Sequence, residues 1–434
     1  MRAYKPHIWT DQYQPSAMFG SVLALSGIEG VELAYHGPAG CYTIATHIRT
    51  DQAPMGTYSA MRPSGITEDN LVMGTSMDKL RQLLKFIRME SELTKRKPTL
   101  LAIVNTDSTA ITGDDMVGAA KLFEKETGVP SISVDAPGFK GWDIAGYDLT
   151  YRALLTKFAK PDVSKKPDSI NIIGPYLLAS QNWLFDFEGI KDLLTKLGIS
   201  INCVLTRNTK IEDIENFGAA QLNLMLTNED LPLFAKEAEK LGVPNFGADL
   251  PLPYGLRNTE EWYYAIADKF GKLDKAKEVL QEASKKVRDV LRFNYSYTWQ
   301  SNLMLQKRAA LIGRSQFIAS MARSLYYDMA MYPEVIALQA ATKESIDGAE
   351  KLLESMGKDG FSPKILINPP YVEFARAVKE AEVDFVLGSR IEKTLIEGMG
   401  MAHHAIGSSY YFNTFRYLPM PYVGYEGILY LLQE

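Results

Sequence analysis

Short apolar segments ending at a glycine-containing turn, each followed by an amphipathic helical stretch, recur along most of this chain. No other feature constrains the fold as strongly. A short run that is apolar on both faces reads as a strand of a parallel sheet, and the helix after it is the crossover its parallel neighbour requires. The first instance is Gly30–Tyr35, a strand leading into the turn His36-Gly-Pro-Ala-Gly40. Met77–Leu93 then sets Leu80, Leu83, Leu84, Ile87 and Leu93 near helical spacing. Thr99–Val104 is a second strand. Gly113-Asp-Asp115 offers cap chemistry for a helix to about Lys125, which Gly128 and Pro130 stop, and a strand over Val129–Val134 follows.

The rhythm restarts twice. Lys160–Asp168, charged and carrying two prolines, reads as a linker. Beyond it come strand Ser169–Ile173, the turn Gly174-Pro-Tyr176, helix Glu188–Leu197 and strand Ile199–Leu205. A long polar helix, Leu273–Leu291, leads to a third unit. That unit has strand Arg308–Ile312, a turn at Gly313, helix Gln316–Met329, and strands Val335–Leu338 and Lys364–Ile367. Helix Tyr371–Lys379 and strand Asp384–Leu387 complete it. The expected class is α/β, with three doubly wound parallel-sheet (Rossmann-like) domains over residues 1–160, 169–270 and 271–434. A length of 434 residues accommodates three cores.

Partners and compartment follow from charge and hydropathy. With 47 basic against 52 acidic side chains, a formal charge of −5 argues against a nucleic-acid-coating protein. Met1–His7 lacks an apolar signal core, and no run reaches the roughly 18 apolar residues of a membrane helix. A soluble, cytoplasmic protein is expected, with neither nucleic acid nor membrane as partner.

The chemistry-bearing residues are few. There is no GxGxxG, no Walker A loop and no zinc-type CxxC pair. Two cysteines exclude a disulfide framework and any four-thiolate site built by one chain alone. Cys41 follows the Gly/Pro turn His36-Gly37-Pro38-Ala39-Gly40, at the carboxyl end of a strand, where α/β folds place ligands. Glycines there admit a sulfur-bearing cofactor close to backbone N–H groups, and a helix beginning after Cys41 would favour the thiolate. A buried structural cysteine is the alternative. Asp107 also ends a strand, as a site residue or as an Asx turn or cap. His403-His404, before the turn Gly407-Ser-Ser-Tyr410, lacks a partner at metal spacing and reads as loop; Cys203 reads as core.

At these residues the chain resembles the nitrogenase component-1 family, and within it the β-type subunits. Tyr13-Gln-Pro-Ser16 resembles the family's opening segment, and His36-Gly-Pro-Ala-Gly-Cys41 its first cluster-cysteine loop. Ile66-Thr-Glu-Asp69 with Val72-Met-Gly74 matches the "TED…VFGG" stretch, and Asn105-Thr-Asp-Ser108 with Gly113-Asp-Asp115 matches "TTC…GDD". Ala136-Pro-Gly-Phe139 resembles "TPGF", and Gly424-Tyr-Glu-Gly427 matches "GYEG". Six short motifs stand in the family's order.

The resemblance implies a ligand pattern in which Cys41 is retained, Met61 stands at a second cysteine position and Asp107 at a third. One thiolate with a possible carboxylate does not hold half of an eight-iron cluster, so a nitrogenase β subunit is not implied. The pattern is similar to that of nitrogenase-like reductases. In chlorophyllide reductase the β-type chain gives one cysteine and its partner three. In light-independent protochlorophyllide reductase the β-type chain gives a carboxylate, at the position equivalent to Cys41. The implied cofactor is a [4Fe–4S] cluster shared with a homologous, cysteine-richer α-type subunit in an α2β2 assembly. Cys41 would be the ligand, Asp107 a second choice, and His36, Gly37, Pro38, Gly40 and Met61 its surroundings. The implied electron donor is a homodimeric iron protein, through which alone Mg-ATP would act. A scaffold for metallocluster assembly and a cluster-less α/β ligand-binding protein are the alternative roles.

Overall fold

In the computed structural model, residues 15–52, 59–297, 306–407 and 418–433 are described. They form three parallel sheets with helices packed against them. The first contains β1 (Val31–His36), β2 (Ala60–Pro63), β3 (Leu100–Asn105) and β4 (Ser131–Val134), in the order β2-β1-β3-β4. Alternate residues of its central strands enter different cores. Leu33, Tyr35, Ala102 and Val104 face one, while Ala34, Leu101 and Ile103 face another beneath helices Ser76–Thr94 and Met116–Thr127. Every residue of β1 and β3 is buried, as a sheet covered on both faces requires.

The second sheet contains β5 (Ser169–Ile173), β6 (Ser200–Leu205), β7 (Leu222–Met225) and β8 (Asn245–Phe246), in the order β6-β5-β7-β8. The third runs β11-β10-β9-β12-β13, from β9 (Arg308–Arg314), β10 (Tyr332–Gln339), β11 (Lys364–Ile367), β12 (Phe385–Gly388) and β13 (Ala402–Ala405). In each sheet the chain first builds outward on one side and then crosses to the other. The resulting switch points lie between β1 and β3, β5 and β7, and β9 and β12, and such points are where open α/β sheets bind ligands.

Some elements differ from expectation. Gly313 lies inside β9 rather than in a turn, with a φ of 153°, because a side chain there would press on Ile318. His403 and His404 lie on the edge strand β13, in register with Val386 and Leu387, so this segment is not a loop. The helix after β1 starts at Ala39, two residues before Cys41 instead of after it. Helix Ala17–Ser26 had no periodic signal because it is buried nearly all round. It crosses helix Asp143–Phe158 closely: a Cβ on Gly20 would sit 1.9 Å from the Asp143 carbonyl oxygen, and one on Gly146 1.8 Å from that of Ala17. Tyr13 and Gln14 of the opening motif, and Ser408–Tyr410 of the expected turn, lie outside the described residues. Among the described residues no helix is long and apolar enough to cross a membrane.

The three units meet through charge. Arg314, at the end of β9, bonds through its guanidinium to Asp143 of the first unit and lies 3.7 Å from Glu229 of the second. Both carboxylates are essentially fully buried. Glu229 also accepts from the Ser345 hydroxyl at 2.6 Å and from the Ala341 N–H, and burial pushes its carboxyl pKa up. Removing one member of a buried ionic group strands the others in a low dielectric. Arg314→Met is therefore expected to cost about 3–5 kcal/mol. A triple Arg314→Met, Asp143→Asn, Glu229→Gln chain should recover most of that loss in thermal unfolding. Equal loss in both would refute an ionic origin.

The carboxy-terminal segment is held by a second buried acid. Asp186 is fully buried and accepts from the Tyr422 N–H at 2.6 Å, the Tyr254 hydroxyl at 3.1 Å and the Asn182 amide at 3.3 Å. The GYEG motif is structural here. Gly424 has a φ of 80° and donates to the Pro253 carbonyl, and a Cβ on Gly427 would lie 1.9 Å from the Tyr422 carbonyl oxygen. Burial raises the Asp186 pKa from 3.8 to about 6, against the hydrogen bonds that lower it. A raised folded-state pKa stabilises below the unfolded value, and that contribution is lost as pH rises through the folded one. Asp186→Asn can still accept the Tyr422 N–H and the Asn182 amide through its oxygen while its NH2 donates to the Tyr254 hydroxyl, and it should flatten the stability profile between pH 4 and 6.5. At pH 7.5 it should gain about 1–3 kcal/mol. An unchanged profile in denaturant titrations at several pH values would exclude this role.

Candidate functional site

The switch point of the first sheet is where the predicted residues gather. β1 ends at His36, and Gly37 and Pro38 lead into helix Ala39–Gln52, which carries Cys41 exposed in its first turn. Gly37 is packed tightly: a Cβ there would lie 2.2 Å from Thr106 Cγ2. At Gly40, among the described residues, no atom outside its own turn of helix comes within 4 Å of the equivalent position. The backbone before the thiol is thus fixed at one glycine and open at the other. Below them lies a buried layer of Tyr35, Met18 and Met61. The Tyr35 hydroxyl donates to Met18 Sδ at 2.7 Å, and the Tyr35 and Tyr42 rings meet edge to face at 6.0 Å. Burial pushes the Tyr35 phenol far above its ordinary range, with Cys41 and Asp107 adding to the shift, so both lie near it.

Three predicted residues turn out to be structural partners. His36 is fully buried, with Nε2 2.7 Å from Asp114 Oδ2 and Nδ1 2.9 Å from Ser64 Oγ. Met61 lies in β2 with its side chain in the core, while its carbonyl accepts from the Tyr42 hydroxyl at 3.0 Å. Asp107 opens the short helix Asp107–Ile111, and its carboxylate accepts the Gly138 N–H of the Ala136-Pro-Gly-Phe139 turn. One oxygen of this second-choice ligand is thereby engaged. The Gly113-Asp-Asp115 motif divides its work: Asp114 faces His36, and Asp115 caps helix Met116–Thr127 by accepting the Gly118 N–H at 2.8 Å. Ser64 had no sequence signal, since an isolated serine beside Pro63 reads as an ordinary turn.

Apolar side chains surround this end of the sheet. Ile44, Val72, Met73, Ile111 and Phe139 are exposed, all on segments that follow the carboxyl ends of β1 to β4. Exposed apolar surface collected at one end of a sheet marks an interaction surface. Two cavities adjoin this sheet, the first of them at this same end. One of about 420 Å3 sits behind the Asp114 loop, lined by Asn105, Lys140 and Arg152 among others. The other, of about 690 Å3, is at the opposite, amino-terminal ends of β1 and β2, where Arg62 bridges Glu32 and Glu90.

A cluster shared with another chain fits these residues. Cys41 offers one exposed soft thiolate beside open backbone at Gly40. Among the described residues no group of three or more His, Cys, Asp or Glu side chains is placed to hold a metal ion, so the remaining ligands would come from elsewhere. Gly37→Ala is expected to lower stability by about 1–3 kcal/mol through overpacking against Thr106. Gly40→Ala should leave the melting temperature unchanged. Equal melting temperatures for the two variants would contradict this difference in space.

The comparisons with known proteins agree along the chain. Residues 16–434 match the family model for nitrogenase component 1 type oxidoreductases. The nitrogenase iron-molybdenum cofactor biosynthesis protein NifE of Clostridium pasteurianum is 24% identical over 388 residues, 88% of this chain and 79% of that protein. One of the light-independent protochlorophyllide reductase subunits of Jannaschia sp. is 23% identical over 425 residues, 97% of this chain and 75% of its own. The solved structure of nitrogenase Cp1 at pH 6.5 superposes with a TM-score of 0.76 at 18% identity, covering 100% of this chain and 93% of that one. The three parallel sheets are the fold of that structure, and the chain belongs to the nitrogenase component 1 type oxidoreductase family.

Proposed function

We propose that this chain is the β-type subunit of a nitrogenase-like oxidoreductase. In this reading it relays single electrons from an ATP-dependent iron protein toward a substrate or second cofactor at a partner subunit. The observation that carries the reading is the setting of Cys41: one exposed thiol at a topological switch point, beside open backbone and at the end of the sheet whose outgoing segments carry exposed apolar side chains. An iron–sulfur cluster, [4Fe–4S] in this proposal, would supply one-electron storage, with Cys41 holding one iron. The turn from Gly37 to Gly40 presents the thiol, and the layer of Tyr35, Met18 and Met61 keeps water from its inner side. Ile44, Val72, Met73, Ile111 and Phe139 form the surface on which the partners close.

A lone thiolate also shapes the assembly. Two copies of this chain bring two Cys41 thiolates, so a cysteine-richer homologous partner in an α2β2 complex suits the site better than a homodimer. An interface position suits electron transfer too, because transfer rates fall steeply with distance from the docked donor. The proposed location is the cytoplasm. Mg-ATP enters only through the iron protein, and this chain's own residues take no part in its hydrolysis.

The NifE relatives favour a second reading, an assembly scaffold for a metallocluster. Turnover separates the two. The complex purified without oxygen, given its iron protein, Mg-ATP and substrate, should reduce that substrate repeatedly if it is a relay; a scaffold should instead release a cluster to an acceptor. In the Cys41→Ser complex, iron and acid-labile sulfide should fall and reductase-dependent turnover should be lost. Full iron content with undiminished turnover would rule out Cys41 as a ligand. A wild-type complex devoid of iron and sulfide would point to a cluster-less binding protein.

A further inference from the structure

Three segments that leave the carboxyl ends of β1, β2 and β3 are joined by one chain of hydrogen bonds. Asp114 Oδ2 lies 2.7 Å from His36 Nε2, His36 Nδ1 lies 2.9 Å from Ser64 Oγ, and Ser64 Oγ accepts the Gly37 N–H at 3.2 Å. The direction of each bond follows from chemistry. A carboxylate oxygen accepts, so Nε2 carries the proton of the neutral imidazole and Nδ1 is the acceptor. The Ser64 hydroxyl then donates to Nδ1, and its oxygen is left to receive the Gly37 N–H. Burial lowers the His36 pKa and so favours this neutral form.

Both ends of the chain are anchored. Asp114 Oδ1 accepts from the Ser76 hydroxyl at 2.8 Å and the Thr112 hydroxyl at 3.0 Å. The His36 carbonyl receives the Thr109 hydroxyl at 2.9 Å and the Thr106 N–H at 3.2 Å. Beyond Gly37 the turn is also tied to the segment after β2, by a parallel bridge between Pro38 and Ile66. The Pro38 carbonyl accepts the Tyr42 N–H at 3.2 Å and opens the helix that bears Cys41.

We infer that His36, Ser64 and Asp114 form a positioning lock for the Cys41 turn, and that His36 acts through this lock instead of touching a cofactor. The lock sets where the helix starts and so where the thiol points, with open space beside Gly40 among the described residues. Its value for a cluster rests on the function proposed above; the lock itself does not, and can be read in the chain without metal.

The test uses the full-length chain free of metal, in wild-type, Ser64→Ala, Ser64→Thr and His36→Gln forms. Two readouts follow the turn: hydrogen exchange of the amides from Gly37 to Tyr42, and the rate at which iodoacetamide alkylates Cys41, the buried Cys203 being protected. Ser64→Ala and His36→Gln should each speed exchange in this segment at least tenfold and shift the alkylation rate at least threefold. Ser64→Thr, which keeps the hydroxyl, should restore wild-type behaviour. Exchange and alkylation unchanged in both Ser64→Ala and His36→Gln would overturn the lock. If the variants behave as expected but the assembled wild-type complex holds no iron, the lock stands and the cluster reading falls. If the wild type holds iron and the variants change nothing, the reverse follows.

Discussion

A parallel sheet is covered on both faces by its own crossover helices, so the strand ends are where such a unit can meet a ligand or another unit. In this chain the carboxyl ends of three sheets divide that opportunity. Those of the second and third turn inward, to where Arg314 faces Glu229, and Asp143 joins them from the segment after β4. There the strand ends are joined by the protein's own buried ionic side chains. The first sheet keeps its switch point at the surface, and that is where Cys41 stands. One arrangement therefore explains both why the units hold together and why the exposed chemistry is confined to a single edge.

The second sheet shows a different way of specifying register. Asn202, Asn171, Asn223 and Asn245 lie one per strand and pass amide hydrogen bonds of 2.9 Å across the whole sheet. Asn171 and Asn223 are fully buried, and their remaining amide hydrogens reach the carbonyls of Phe217 and Val243. A fully satisfied polar row inside a parallel sheet leaves unpaired amides in any shifted register, so it penalises slippage more sharply than an apolar face does. In sequence these asparagines look like breaks in otherwise apolar strands. In β7 and β8, only four and two residues long, such a break leaves too little apolar run to read, although Ile170, Ile172 and Leu224 of the same sheet belong to the core.

Legibility elsewhere followed the physics of burial. Helix Ser76–Thr94 could be read because one face is wet, and helix Met116–Thr127 because Asp115 and Gly128 bracket it with cap and left-handed stop. Helix Ala17–Ser26 lacked both signals: burial on nearly all sides removes the period, and its contact with helix Asp143–Phe158 depends on Gly20 and Gly146, far apart in sequence. The placement of Cys41 at the carboxyl end of β1 and the helix cap at Asp115 were legible because Gly/Pro punctuation and motif order single those segments out. The roles of His36 and Asp107 were not, because each is set by a partner on another segment, Asp114 for one and Gly138 for the other.

Asp107 shows how one carboxylate at a strand end can brace two segments of the fold. A carboxylate that accepts the Gly138 N–H ties the start of helix Asp107–Ile111 to the turn that displays Phe139 to solvent. A thiolate there would be a softer ligand and a weaker acceptor for that N–H. An oxygen acceptor at this point therefore braces the edge. Met61 packs its side chain into the core while its carbonyl holds Tyr42. Both residues thus serve the scaffold beside the Cys41 helix. Cys41 itself is exposed in the first turn of that helix. In the function proposed above, that exposure is what lets its thiol complete a site that another chain begins.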